Sequence, residues 1–184
     1  MSPSPATASQ KSFEIDLSIL WQLEKKVLWL SSWMIHNANH LRENQDGLKV
    51  GGHQASCASM VSIMTALYFS ILRPEDRVAV KPHASPVFHA IQYLLGNQTQ
   101  EKLENFRGYG GAQSYPSRTK DIDDVDFSTG SVGLGAAITA FASKHYPGSI
   151  NTYTVGFDYD KGINELAKAS VIANRFETNH EELR

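Results

Sequence analysis

Two of the seven histidines stand where chemistry is favoured. His53 follows Gly51-Gly52 at the entrance to an apolar, small-residue run, and His83 follows Lys81-Pro82 at the end of a short β-prone segment. An imidazole so placed can donate to a phosphate or carry a proton near neutral pH. Ligands of open parallel α/β sheets gather beyond the carboxyl ends of strands, which favours His83 of the two. A purely structural role is the alternative for each. His36, His40, His89 and His145 have no comparable setting and read as structural. The third feature is Ser128-Thr129-Gly130-Ser131-Val132-Gly133-Leu134-Gly135, which opens a small-residue helix. Glycines at that place let the backbone approach a ligand and aim free N–H groups at an anion. Their spacing matches neither the G-x-G-x-x-G dinucleotide fingerprint nor a P-loop.

Other chemistries find no support. Ser56, Ser85 and Ser128 lie among histidines and acids, but no serine sits in G-x-S-x-G, so a nucleophile elbow is absent. There is no H-E-x-x-H pair, and the scattered histidines lack zinc-ligand spacing. Asp121, Asp123, Asp124 and Asp126 suggest calcium, but the loop lacks the glycine and the bidentate glutamate of an EF-hand. A solvated acidic turn is expected instead, and no metal site is assigned. Cys57 is the only cysteine, which excludes an intrachain disulfide and a thiolate cluster and fits a reducing cytosol.

These residues need elements to hold them. Apolar residues at Leu20, Leu23, Val27, Leu30, Met34 and Ala38 predict an amphipathic helix over 17–41. Trp21, Trp29 and Trp33 widen its apolar surface for core or interface packing. Asp46-Gly47 marks a turn, and 55–72 reads as a largely buried helix closed by Pro74. A strand over 77–81 ends at Pro82, and a helix over 86–95 begins with Pro86 and ends before Gly96. A short helix over 100–106 precedes an exposed glycine-rich loop, 108–117. Beyond Pro147-Gly148, a strand over 151–157 and a helix over 163–176 form a last β-α step. The alternation predicts an α/β fold.

At 184 residues, with 41% hydrophobic and 20% charged residues, the chain has ordinary globular usage. A net charge of −2 and the lack of a basic cluster argue weakly against a nucleic-acid surface. Charges interrupt the apolar run of 17–41, so no membrane span is expected there. Residues 1–12 lack the basic start and apolar core of a signal peptide and read as a mobile tail. The expected location is cytoplasmic.

Four blocks then carry a resemblance: Gly51-Gly52-His53-Gln54-Ala55-Ser56, Lys81-Pro82-His83-Ala84-Ser85-Pro86, Leu103-Glu104-Asn105-Phe106-Arg107 with Ser114-Tyr115-Pro116, and Ser128 through Gly135. In order and rough spacing they resemble the diphosphate-binding domain of transketolase-like enzymes, nearest the homodimeric pyruvate dehydrogenase E1 component. The likeness covers roughly 17–142. It implies a Rossmann-like parallel sheet with helices on both faces, incomplete here, that binds thiamine diphosphate. By resemblance, His53 and His83 are the catalytic candidates. His53, Ser56, His83, Ser128, Gly130, Val132 and Gly133 are the cofactor-binding candidates. The family uses the thiazolium carbon of the cofactor on a 2-keto acid or a ketose, so the cofactor supplies the covalent chemistry.

The family's magnesium-binding Gly-Asp-Gly does not occur in this sequence. Nor does the pyrimidine-binding domain with its activating glutamate, so the expectation is a truncated or chimeric unit without turnover of its own. Its partners would be the cofactor and a second copy or a missing partner domain. From about residue 142 the likeness changes. Ser143 through Asp158 and Asn164 through Glu182 resemble the synthetase domain of glutamine-hydrolysing asparagine synthetases, in which the strand matching 152–157 lines an ATP site. The expected division is therefore a tail, 1–12, a transketolase-like part, 13–142, and an asparagine-synthetase-like part, 143–184, with a seam between Ser128 and Ser143. An ATP-binding fragment and a non-catalytic interaction remnant are the competing readings.

Overall fold

The computed structural model describes residues 16–43, 47–128, 130–148, 150–155 and 166–183. The predicted tail 1–12, Asp46 of the predicted turn, Thr129, and the predicted strand and helix residues within 156–165 lie outside the described residues.

Helix α1, Leu17–His36, starts at Asp16, whose carboxylate accepts from the Ser18 backbone N–H at 2.9 Å and its hydroxyl at 2.7 Å. This cap satisfies one of the unpaired amides of the first turn, and the two Ser18 bonds hold the Asp16 carboxyl below its ordinary pKa. Val27, Met34 and Ala38 of the predicted stripe are buried, whereas Trp21 and Trp29 are exposed and Trp33 packs against the core. A π-helical turn, Asn37–Leu41, closes the helix.

The predicted 55–72 helix is broken into α2, Gln54–Ala58, α3, Val61–Ala66, and a second π-helical turn, Leu67–Ile71. The Ser59 hydroxyl donates to the Ser56 carbonyl at 2.9 Å, and the Met60 amide closes a tight turn onto Cys57. A side-chain donor competing for a helix carbonyl is a known cause of such breaks. Only Cys57, Val61, Met64 and Thr65 of the run are buried, and Ile63 and Ile71 are exposed, so the expectation of a largely buried helix is corrected as well.

Residues 77–81 belong to no sheet among the described residues. The Val78 amide is taken by the Asp126 carboxylate at 2.8 Å, and Arg77 pairs with the same group at 3.4 Å. A side chain thus occupies a donor that a neighbouring strand would have used. A 3-10 turn, Pro82–Ala84, leads into α3's larger partner, helix α4, Ser85–Leu94. Every residue of α4 from Ser85 to Gln92 is buried, which makes it the centre of the core. Around it pack α1, α3, the short helix α5, Gln100–Glu104, and Phe106, Ala112 and Val125 from the loops. Burying a side chain such as Phe88 contributes about 1.5–3 kcal/mol.

The 108–117 loop is less exposed than predicted: Gly111, Ala112 and Pro116 are buried. At Gly111 an added Cβ would lie 1.7 Å from the Asn105 carbonyl oxygen. Helix α6, Leu134–His145, precedes strand β1, Asn151–Val155, helix α7, Leu166–Arg175, and strand β2, Asn179–Leu183. The strands pair in parallel with Thr152 opposite His180, joined by α7 as a parallel pair requires. The architecture is α/β, rich in helix, with this two-stranded parallel sheet. None of the described helices is long and apolar enough to cross a membrane.

Candidate functional site

The structure brings His53 and His83 together from segments thirty residues apart, with ring centroids 4.0 Å from each other and planes 13° apart. The turn before His53 is built for close approach. Gly51 and Gly52 have φ of +76° and +139°, and a Cβ on Gly52 would sit 2.8 Å from Ile35. Asn39, in the π-helical turn after α1, clamps Gly51 on both sides, accepting from its N–H at 2.9 Å and donating to its carbonyl at 3.0 Å. His83 is fixed by the 3-10 turn ahead of α4, and its carbonyl accepts from the buried Cys57 thiol at 3.5 Å.

Arg107 completes the turn. Its Nη1 donates to the Val50 carbonyl at 2.6 Å, its guanidinium lies over the Phe106 ring at 5.4 Å, and its backbone holds φ of +60°. A non-glycine residue held there implies that its surroundings over-determine it. Desolvation, then the charges of His83 and Arg107, hold the His53 imidazole below its ordinary pKa, so it is neutral near pH 7. Burial pushes the Cys57 thiol up to about 11, against the opposing influence of a backbone hydrogen bond, Lys81 and Arg107. Cys57 is therefore an inert core residue.

Two buried polar atoms in these segments have no hydrogen-bond partner among the described residues: Ser56 Oγ and Arg107 Nε. With two imidazoles and the Lys81 and Arg107 charges, they form a donor-rich, cationic set. Such a set fits the diphosphate of thiamine diphosphate.

The remaining candidates lie along the segment into α6. Ser128 Oγ accepts from the Arg118 amide at 2.9 Å. Gly130 packs against Tyr115, where a Cβ would stand 3.3 Å from the ring. Val132 is exposed, and Gly133, at φ of +90°, starts α6 without a side-chain cap. Gly135 comes against Ala79, two residues before Lys81, which sets the start of α6 beside the segment that carries His83.

The acidic cluster is not a solvated turn. Asp123 is buried with His89: its Oδ2 lies 2.6 Å from Nδ1, and its Oδ1 accepts from Gln98. His89 Nε2 stands 3.0 Å from the Gln113 carbonyl, an acceptor only, so this nitrogen carries a proton. Asp121 accepts from the Gln113 and Ser117 amides at 3.0 and 2.8 Å, and burial, the largest influence, raises its pKa. Ligand atoms of His89, Asp121 and Asp123 lie within 4.8 Å of one another. Both nitrogens of His89 are already committed within the protein, and the cluster serves to tie the 113–126 loop to α4. Sequence spacing offered no sign of this pair, nor of the part played by Arg107.

Comparison with known proteins gives two likenesses. The chain is 29% identical over 156 residues to the pyruvate dehydrogenase E1 component of Mycobacterium tuberculosis, covering 79% of this chain and 15% of that protein. It is 33% identical over 113 residues to the Escherichia coli K12 pyruvate dehydrogenase E1 component, covering 56% of this chain and 13% of the relative. With mouse transketolase-like protein 2 it shares 35% identity over 109 residues, 52% of this chain and 17% of the relative. The chain thus spans about a sixth or less of the length of these relatives. Residues 136–184 match the asparagine synthase family model. The sequence is therefore similar to transketolase-like E1 enzymes, and in its last part to asparagine synthases.

Proposed function

We propose that residues 13–142 are a Rossmann-like thiamine diphosphate-binding unit of the pyruvate dehydrogenase E1 and transketolase kind, followed by an asparagine-synthetase-like part, 143–184. The observation that carries this is the stacked His53–His83 pair beside the Gly51-Gly52 turn, with the orphaned donors of Ser56 and Arg107. In this reading His83 and Arg107 hold the diphosphate, Ser56 donates to it, and neutral His53 is placed to accept or deliver a proton. The backbone amides of Ser128 and of Gly130, Val132 and Gly133 would add to it near the start of α6. Bound thiamine diphosphate would supply the carbon nucleophile for chemistry on a 2-keto acid or a ketose. The sequence has no Gly-Asp-Gly, so binding without turnover is the expected behaviour of this chain. A cytoplasmic setting and pairing with a second copy or partner domain through the exposed Leu17, Trp21 and Trp29 side of α1 belong to the same proposal.

Calorimetric titration with thiamine diphosphate, with and without magnesium, tests it. One saturable site is expected, weakened about tenfold by His83→Ala, as for loss of a hydrogen bond to a charged group. Absence of binding overturns the reading. Binding of ATP in its place would favour the second reading, an ATP-binding fragment, which the match over 136–184 supports.

A further inference from the structure

A cleft of about 290 Å³ opens among α6, β1, α7 and β2. Its wall is mainly apolar: Ala136 and Ala140 of α6, Ile150 before β1, Ala169 and Ile172 of α7, and Phe176. Thr152, Thr178 and His180 supply the polar side chains of the lining. Thr152 and His180 are second residues of the two parallel strands, so the cleft lies at their amino ends. Ligands of parallel α/β sheets ordinarily gather at the opposite end. Among the described residues no charged group lines the cleft; the Lys144 ammonium lies on the Phe176 ring at 5.8 Å. Among those residues a phosphate-bearing ligand finds no charged partner.

The three polar residues form a relay whose direction follows from its first member. The Thr178 hydroxyl donates to the Ala173 carbonyl at 3.3 Å, which uses its single proton. Thr152, 2.9 Å from Thr178 Oγ1, must then be the donor of that pair. With the Thr152 proton also spent, the 2.9 Å contact to His180 requires Nδ1–H to donate to Thr152 Oγ1. In the neutral tautomer that this relay selects, Nε2 is a lone-pair acceptor. That atom is buried and has no partner among the described residues. A buried, unsatisfied acceptor is costly, and a ligand that supplies the missing donor removes the cost.

We propose that this cleft binds a small, largely apolar molecule with one hydrogen-bond donor, of the size and chemistry of an alkylphenol, whose hydroxyl donates to His180 Nε2. An apolar cavity of about 150 Å³ accommodates benzene. The larger volume here leaves room for a ring and a short alkyl chain. The site is separate from the His53–His83 pair, and it stands or falls independently of the cofactor reading.

The test titrates the full chain with 4-ethylphenol and with 4-ethylanisole, which keeps the ring but has no donor. Calorimetry and the methyl resonances of Ala136, Ala140, Ala169 and Ile172 report binding. The phenol should bind about tenfold more tightly than the ether and shift these methyl groups. His180→Phe should abolish that preference. Thr152→Val, a substitution suited to a strand, removes the acceptor that fixes the tautomer and should reduce the preference in a folded protein. Equal affinity for phenol and ether in the unaltered chain overturns the proposal. So does phenol binding that leaves the cleft methyls unmoved, or no binding at all.

Discussion

Removing the Asp123 carboxylate should be among the most damaging single changes to this fold, and the kind of replacement should decide the damage. Both side chains of the His89–Asp123 pair are fully buried. Asp123→Ala strands the Nδ1 side of His89 and the Gln98 amide in the interior. Breaking a buried pair in this way costs about 3–5 kcal/mol. For a chain of this size that corresponds to a melting temperature lower by roughly 6–20 °C. Asp123→Asn differs in one decisive respect. Its amide N–H can donate to Nδ1 of neutral His89, its carbonyl can accept from Gln98, and Nε2–H keeps the Gln113 carbonyl. With each of those contacts retained and no charge buried, the cost should stay near 1 kcal/mol or less. Urea denaturation at neutral pH, followed by circular dichroism, measures both. An alanine variant that loses less than about 1 kcal/mol, or an asparagine variant as unstable as alanine, would refute the hydrogen-bond accounting.

The same reasoning gives three further expectations. Gly52→Ala forces a side chain into φ of +139° and against Ile35, and should cost about 2–4 kcal/mol while abolishing the nuclear Overhauser contacts between the His53 and His83 rings. Intact contacts would show that the turn does not set the pair. Cys57, raised to about 11, should react with iodoacetamide at pH 8 about a hundredfold more slowly in the folded chain than in urea from ionisation alone, as mass spectrometry can follow. Comparable rates in both states would contradict its burial. His53 should titrate below its ordinary value in NMR, and His83→Asn should raise the midpoint. Because a depressed imidazole binds its proton less readily when folded, this group favours the fold above its unfolded pKa, and the benefit is lost as pH falls through the folded value. A midpoint at or above 6.5 would remove the electrostatic basis of the pair.

Local signals were legible where the chain's own periodicity or turn chemistry decides the structure. The stripe at Val27, Met34 and Ala38 does face the core, and Pro86 and Gly96 bracket α4 closely. The His53–His83 pairing was half visible: a Gly-Gly turn and a proline mark both residues as positioned, but only the fold shows that their rings stack. Long-range partners overrode the rest. Residues 77–81 look like a strand until Asp126, 48 residues away, takes the Val78 amide. Asp123 looks like a surface acid until His89 draws it inside. Asn179–Leu183 has little strand-favouring composition, and pairing with β1 makes it a strand. Ser59 undid the predicted long helix through one hydroxyl, a local cause that hydrophobic periodicity does not register. The candidates Ser128, Gly130, Val132 and Gly133 are contiguous in sequence, yet their contacts run to Arg118 and Tyr115 rather than to one shared centre.

The most direct measurement of the cofactor account is an NMR titration of the full chain with thiamine diphosphate, observing the imidazole resonances of His53 and His83, with thiamine as the control. The account predicts that both rings shift together along one saturable curve with the diphosphate, are unmoved by thiamine, and lose the response in Arg107→Met. Unmoved imidazoles in the presence of thiamine diphosphate, or equal responses to thiamine, would contradict it.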